Sequence, residues 1–289
     1  MSRRDDPRPV PAHATHALHE ERVGGEQVFA GKLLDVRRDR VRLPDGGEAV
    51  REYVVHPGAV LVVPVRADGR LVVERQFRYP LNRVFLEFPA GKLDPGESAL
   101  GTGVRELAEE AGYRAMIWIR LGVIHPVVAY STEAIELYAA RELTHVGSKL
   151  DPGEFLEIVD CTEAELLEAI DEGRLTDGKS IAALALYARW TGTAMRSVRL
   201  RITGVVQGVG YREWALRTAN AAGLAGWVRN LADGSVETHV QGERAACDRF
   251  VNQCLRGPRG ARVAMIEVAR DAVDAARTDF ALLPTLYPK

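Results

Sequence analysis

Three glutamates and one arginine crowd a short stretch of the chain. Residues 91–113 read GKLDPGESALGTGVRELAEEAGY and include Arg105, Glu106, Glu109 and Glu110. Residues three or four apart lie on one face of a helix, so Glu106 and Glu110 would be neighbours there. Hard cations such as Mg²⁺ take oxygen ligands and keep waters and substrate phosphates in their remaining positions. The spacing therefore indicates a divalent-metal site, and the alternative is a solvated, Glu-rich surface helix.

The same stretch predicts the helix that would position these carboxylates. A turn at Asp94, Pro95 and Gly96 precedes it, and apolar residues then recur at steps of three and four over about 98–111. The buried face of this helix is predicted to carry Leu100, Val104, Leu107 and Ala111.

This stretch resembles the Nudix box, Gly-x5-Glu-x7-Arg-Glu-U-x-Glu-Glu-x-Gly-U, where U is a bulky apolar residue. The matching positions are Gly91, Glu97, Arg105, Glu106, Leu107, Glu109, Glu110, Gly112 and Tyr113. The flanking segments VREYVVHPGAVLVVPV, ERQFRYP and LEFPAGKLDPGE are similar to the ADP-ribose pyrophosphatase branch of that superfamily. The resemblance covers about residues 26–191. It implies cleavage of ADP-ribose to AMP and ribose 5-phosphate with Mg²⁺ or Mn²⁺, and a homodimer formed through exchanged N-terminal strands.

The resemblance also implies roles for individual residues. Metal ions would be held by the carbonyl of Ala90 and by Glu106 and Glu110. Glu97 would support these ligands or be an occasional ligand itself. Glu109 would be a catalytic member of the same cluster. The implied substrate contacts come from Arg51, Arg78 and Glu133, for which ordinary surface or cross-strand pairing is the alternative. The water-activating base would come from LDPGEFLEIVD, where Glu154 is favoured over Asp151 and Glu157.

A second chemical motif stands near residue 210. An alternating strand pattern, SVRLRIT, runs into the glycine-rich GVVQGVGYR. Such a loop before a helix exposes successive backbone N–H groups as an anion cradle, and Arg212 would add a bidentate guanidinium. The patterns that follow predict the order βαββαβ, a ferredoxin-like split unit. A plain glycine-rich turn is the alternative.

The segments RITGVVQGVGYREW, GLAGWVRNLADGSVE and FVNQCLRGPRGARV resemble acylphosphatase over about residues 196–285. The resemblance implies hydrolysis of acyl phosphates without a cofactor. Arg212 and Asn230 would be catalytic, the latter by orienting the attacking water. The phosphate would lie against the loop formed by Gln207, Gly208, Val209, Gly210 and Tyr211.

Length and charge agree with a two-domain chain of α+β and α/β type. The 289 residues exceed the usual size of one core. Residues 1–194 hold 24 Lys and Arg against 31 Asp and Glu, whereas residues 195–289 hold 14 against 9. We predict a disordered tail over 1–22, a Nudix domain with an α/β/α sandwich and mixed sheet over 23–192, and an acylphosphatase domain over 195–286.

Several classes of protein are disfavoured by the sequence. The polar, proline-rich N-terminal stretch has no apolar h-region of a signal peptide, and no segment of the chain approaches the length of a membrane span. The three cysteines form no metal-binding spacing, which favours a reducing cytoplasm. No aromatic platform for single-stranded nucleic acid accompanies the basic half.

The sequence thus predicts a bifunctional cytoplasmic hydrolase acting on small phosphate-containing substrates, with no nucleic-acid or membrane partner. Two alternatives stay open. The first is a Nudix pyrophosphatase for another nucleoside diphosphate derivative, and the second is a ligand-sensing Nudix-like domain fused to an anion-binding module.

Overall fold

The computed structural model of the chain describes residues 17–150 and 153–287. Within these ranges the strands are β1 Glu21–Ala30, β2 Asp35–Arg42, β3 Glu48–Val55, β4 Ala59–Pro64, β5 Leu71–Arg78, β6 Arg83–Glu87, β7 Ala90–Lys92, β8 Tyr113–Ile124, β9 Ile135–His145, β10 Leu156–Cys161, β11 Met195–Val205, β12 Ala225–Asn230, β13 Val236–Glu243, β14 Arg262–Arg270 and β15 Phe280–Leu282. The helices are α1 Ala99–Glu109, α2 Glu163–Asp171, α3 Gly178–Gly192, α4 Tyr211–Ala221 and α5 Arg244–Cys254.

The described residues fall into two compact units. The first contains the chain up to Pro57 together with 127–133. Its strands form an antiparallel sheet in the order β1-β2-β3. An isolated parallel bridge between Val54 and Ser131 joins the segment 127–133 to β3. β1 begins at Glu21, inside the stretch predicted as a disordered tail, and residues 1–16 lie outside the described residues.

The second unit holds a nine-stranded mixed sheet in the order β15-β12-β13-β11-β14-β8-β9-β4-β7. A smaller sheet in the order β10-β5-β6 belongs to the same unit. Strand β4 is buried along its whole length, as the continuous apolar run in its sequence predicts. It pairs parallel with β9 and antiparallel with β7, so the predicted mixed sheet is confirmed.

Helix α1 confirms the predicted acidic helix, but its buried face differs from the prediction. Ser98 caps it by accepting a hydrogen bond from the N–H of Gly101. Val104, predicted to be buried, is 38% exposed, and Gly103 lies in the core instead. A Cβ atom on Gly103 would lie 3.3 Å from Trp118 and 3.4 Å from Val60, so the helix backbone itself packs on the sheet there.

Side-chain caps mark the starts of the two remaining helices of this half. Thr162 caps α2, and Glu165 completes a capping box. Asp177 caps α3 by accepting a hydrogen bond from the N–H of Ser180. Across the described ranges, no helix has both the length and the apolar character required to cross a bilayer.

The second half confirms the order βαββαβ. Its strands lie in the order β12-β13-β11-β14, with α4 and α5 as the two connecting helices. The additional strand β15 pairs parallel with β12 at the outer edge.

The two halves share one sheet, which the sequence did not indicate. β14 pairs parallel with β8, from Ile266 opposite Ile117 to Ala269 opposite Arg120. Trp190, at the end of α3, is 4% exposed and lies under the guanidinium of Arg196 at 4.2 Å. The two predicted domains are therefore joined by backbone hydrogen bonds and by a continuous hydrophobic core.

Trp190→Ala is expected to lower the free energy of unfolding by about 3–5 kcal/mol, because it opens a cavity in this shared core. Urea denaturation followed by circular dichroism measures the change. Tyr79→Ala, at a side chain that is 86% exposed, is the matched aromatic control and should change little. A loss below about 1 kcal/mol for Trp190→Ala would contradict the shared core.

Candidate active sites

Helix α1 and strand β7 form the acidic site. The N–H of Ala90 donates to Glu110 Oε2 at 3.0 Å. A Cβ atom on Gly91 would lie 1.8 Å from Glu106 Oε1, so a larger residue at this position would displace the Glu106 carboxylate. The structure thus brings Ala90, Glu106 and Glu110 together.

Arg105 binds the other carboxylates of the motif. Its guanidinium donates to Glu106 at 2.8 Å, to Glu109 at 3.0 Å and to Glu97 at 3.2 Å. Thr102 also donates to Glu97, at 2.8 Å. These bonds, first from Arg105 and then from Thr102, lower the pKa of Glu97. In this structure Glu97 is therefore held by Arg105 and Thr102.

The carboxylates at the centre of the acidic site are desolvated and are not fully neutralised by positive side chains. Glu110 is 6% exposed, and burial, followed by the charges of Glu74 and Glu106, raises its pKa to about 9. Burial likewise raises the pKa of Glu106, although Arg105 acts in the opposite direction. Two neighbouring carboxylates in a desolvated place cannot both ionise readily without a cation.

Glu74 is a second buried carboxylate beside Glu110, and it was not among the residues predicted from the sequence. It is 1% exposed, and its Oε2 has no hydrogen-bond partner among the described residues. Burial and the charge of Glu87 raise its pKa to about 7. The available signal was an acidic residue at the end of the fully buried run 71–74 of β5, where a charge is costly unless it is compensated.

These residues fit a divalent cation by donor type and by uncompensated charge. Glu74 and Glu110, which are buried, and Glu106, which is half-buried, supply carboxylate oxygens, which are the donors Mg²⁺ prefers. Within 17–150 and 153–287, no three acidic, histidine or cysteine side chains are grouped closely enough to hold a metal ion, and Glu106 is paired with Arg105.

Arg78, predicted to bind substrate, forms an ion pair with a buried glutamate. Its Nε and Nη2 donate to Glu87 at 2.8 and 2.7 Å, and Lys179 contacts the same carboxylate. Burial alone would raise the pKa of Glu87, but Arg78 and Lys179 outweigh it and lower the pKa. In this structure Arg78 therefore forms a cross-strand ion pair, which was the alternative to a substrate contact.

Two other predicted substrate residues lie in the first unit. Arg51 donates to both oxygens of Glu20, at 2.9 and 2.5 Å, and lines a cavity of about 390 Å³ together with Tyr53 and Tyr130. Glu133 lies 3.8 Å from the imidazole of His56.

The candidates for the water-activating base differ in their surroundings. Glu154 is exposed, yet its charge contributes to the raised pKa values of Glu74, Glu106 and Glu110, which places it near the acidic site. Glu157 pairs with Arg75 at 3.2 Å. Asp151 lies outside the described residues.

The second site is a cavity of about 270 Å³ in the acylphosphatase-like half. It brings together most of the residues predicted from the loop motif, and its lining is Val206, Gln207, Gly208, Gly210, Tyr211, Arg212, Glu213 and Asn230. Gly208 and Gly210 adopt φ of 74° and 75°, a region that favours glycine. The left-handed turn at Gly210 caps α4, so the helix N-terminus faces the cavity.

Three side chains of this loop have structural partners. Gln207 Nε2 donates to the carbonyls of Leu231 and Ser235, both at 2.8 Å. The Tyr211 hydroxyl donates to the carbonyl of Cys254 at 2.6 Å, and the ring is 2% exposed. Val209 packs against the core and is not part of the cavity lining. At these positions the backbone, rather than the side chain, is available to an anion.

The folds and the two sites define an enzyme of the hydrolase class with two phosphate-handling domains. Models of three families match the chain: the NUDIX domain over residues 55–184, the nucleoside diphosphate sugar hydrolase N-terminal domain over 20–54, and acylphosphatase over 198–282. The chain belongs to the Nudix family in its first part and to the acylphosphatase family in its second.

Individual relatives agree with this division. An ADP-ribose pyrophosphatase of Bacillus subtilis (strain 168) is 36% identical over 170 residues, which cover 58% of this chain and 92% of that protein. An acylphosphatase of Methylococcus capsulatus is 45% identical over 89 residues, 31% of this chain and 97% of that protein. A crystal structure of an ADP compounds hydrolase superposes with a TM-score of 0.55 at 25% identity, covering 59% of this chain and 93% of the other.

Proposed function

We propose that the Nudix part hydrolyses the diphosphate of ADP-ribose to AMP and ribose 5-phosphate with Mg²⁺ or Mn²⁺, and that the second part hydrolyses acyl phosphates without a metal. The observation that carries the first half is the pair of buried carboxylates Glu74 and Glu110, with the half-buried Glu106 and with Ala90 beside them. The second activity is supported by the glycine-rich loop and Arg212, which line one cavity.

In the Nudix site, Glu106 and Glu110, with the carbonyl of Ala90, would hold the cation, which when bound neutralises charge on the diphosphate. Arg105 keeps Glu109 and Glu97 oriented around them. Glu154 accepts the proton of the attacking water, because it is the exposed carboxylate near the cluster. Arg78 would contact the substrate after exchanging its present partner, and Arg51 and Glu133, in the first unit, stay predicted substrate contacts.

In the acylphosphatase site, the loop N–H groups and the guanidinium of Arg212 hold the phosphate in place. Asn230 stands across the same cavity and orients the attacking water. Acyl phosphates have a good leaving group, so positioning and electrostatic stabilisation supply most of what the reaction needs.

We also propose that the chain forms a homodimer through its first unit. Apolar side chains are exposed on its strands, among them Phe29 at 54% and Val50 at 54%, and on the connecting turn, Leu33 at 66%. Exposed apolar surface of this kind favours an interface. The three free thiols, Cys161, Cys247 and Cys254, fit a reducing compartment such as the cytoplasm.

The test is product analysis of the purified chain with ADP-ribose and Mg²⁺, and separately with acetyl phosphate and EDTA. AMP with ribose 5-phosphate in the first reaction, and acetate with phosphate in the second, are the expected products. Intact ADP-ribose alongside cleavage of other nucleoside diphosphate derivatives would transfer the proposal to those substrates. No cleavage of any diphosphate would favour the ligand-sensing alternative.

Mg²⁺ binding is expected to release protons near neutral pH, and its affinity should rise with pH. The pKa of Glu110, about 9 in the folded chain, means that this carboxyl is largely protonated at pH 7 and must lose its proton to bind a cation. Calorimetric titrations in buffers of different ionisation enthalpy count the protons released. An affinity independent of pH between 6 and 9 would contradict the assignment.

Gln207→Leu is expected to reduce kcat/KM for acetyl phosphate by about tenfold, because its two hydrogen bonds fasten the phosphate loop to the hairpin that follows Asn230. The rate of acetate release measures the effect, and hydrolysis of ADP-ribose should be unchanged. Gln253→Leu, at an exposed position on α5, is the matched control. Equal rates for both variants would argue against a positioning role for Gln207.

A further inference from the structure

A cavity of about 420 Å³ lies at the junction of the two enzyme domains, within the second unit. Its walls come from the segment after β4, from β9 and α3 on the Nudix side, and from β11 and α5 on the acylphosphatase side. Its lining shares no residue with either candidate active site.

Arginine dominates the charge of this junction cavity. The charged lining residues are Arg66, Arg141, Arg196 and Arg244 against Glu142 and Asp248. Arg66 pairs with Asp160, and Arg196 pairs with Asp248. Among the described residues, Arg141 and Arg244 have no ion-pair partner, and both are half-buried. Positive charge is thus left over on the cavity wall.

Arg196 is the most buried of these cations. Its side chain is 5% exposed, and its Nε has no hydrogen-bond partner among the described residues. Burial lowers the pKa of Arg196, and the like charges of Arg244 and Arg270 lower it further, while Asp248 acts in the opposite direction. A desolvated guanidinium beside other cations is costly, and a bound anion would offset that cost.

The backbone of β9 is distorted where it borders the cavity. Glu142 has φ of 55°, a left-handed conformation that non-glycine residues rarely adopt. A regular strand presents alternate residues to one side, yet Arg141, Glu142 and Leu143 all contribute to the wall. Strained backbone of this kind is concentrated at binding sites.

We propose that this junction cavity binds the phosphate group of a small phosphorylated molecule, held by Arg141, Arg244 and Arg196. Guanidinium groups match phosphate oxygens in bidentate geometry. The volume is in the range of small-molecule sites, and Tyr187 lines the same cavity. Because both domains contribute to the wall, the bound ligand also stabilises their junction.

The test uses the full chain carrying Arg212→Ala, in EDTA, so that neither active site holds phosphate through Arg212 or a metal. Inorganic phosphate and ribose 5-phosphate are titrated by calorimetry at constant ionic strength. Binding of both is expected, with ribose 5-phosphate at least as tight. Adding Arg141→Gln and Arg244→Gln should weaken both by about tenfold or more. Arg75→Gln, at an arginine elsewhere on the surface, is the matched control and should leave binding unchanged.

Three results would overturn the proposal: no binding in the Arg212→Ala background, equal binding after the two glutamine substitutions, or binding of phosphate with exclusion of ribose 5-phosphate. Should the double variant fail to fold, the single variants Arg244→Gln and Arg244→Lys replace it. Lysine keeps the positive charge but loses the bidentate geometry of the guanidinium, so Arg244→Lys should retain more affinity for phosphate than Arg244→Gln. Equal affinities for the wild type and both single variants would count against the site.

Discussion

Glu110→Gln should abolish the hydrolysis of ADP-ribose while making the metal-free chain more stable at alkaline pH. Loss of a carboxylate that holds the cation removes several kcal/mol of charge stabilisation, so kcat/KM should fall by about a hundredfold or more. Acetyl phosphate hydrolysis should continue at the wild-type rate, because Glu110 is not part of the second cavity.

The stability effect follows from the pKa of Glu110. In the folded chain this pKa is about 9, above the value in the unfolded chain. The folded chain therefore holds the Glu110 proton more tightly than the unfolded chain does, and the stability that this gives is lost as the pH rises. Between about pH 4.5 and pH 9, the Glu110 carboxyl is ionised in the unfolded chain but protonated in the folded chain, so the free energy of unfolding of the wild type falls as the pH rises. A neutral glutamine, which can still accept from the N–H of Ala90, avoids that cost.

The measurement is the unfolding temperature in EDTA between pH 5 and 9. The variant should unfold at a higher temperature than wild type at pH 8, and the difference should shrink toward pH 5. Glu157→Gln, at an exposed acid paired with Arg75, serves as the control. If Glu110→Gln is the less stable protein at pH 8, its carboxylate is already compensated without a cation.

Local spacing was sufficient to predict the parts of the sites that lie on single elements. Glu106 and Glu110 are four residues apart on α1, and the loop before α4 is continuous with Arg212, so their proximity follows from one helix and one turn. Thr162 as a helix cap was predictable for the same reason.

Features made by packing between distant segments were not predictable in this way. Glu74 reaches Glu110 only because β5 and α1 lie together in the folded unit, and neither segment's pattern encodes that approach. The pairing of β14 with β8 depends on two strand edges meeting in the folded chain, and the sequence of one strand does not identify its partner across that edge. At Gly103, close approach of the helix to Trp118 outweighed the apolar period that favoured Val104.

Arg212→Ala should reduce kcat/KM for acetyl phosphate by about a thousandfold, because preorganised donors aimed at a phosphate act strongly in a partly desolvated cavity. Arg212→Lys keeps the charge but loses the bidentate fork, so its rate should lie between those of alanine and wild type. ADP-ribose hydrolysis measured on the same preparations should be unaffected, which controls for folding. A small loss in Arg212→Ala, with Asn230→Ala equally active, would show that the cavity is not where acyl phosphates react.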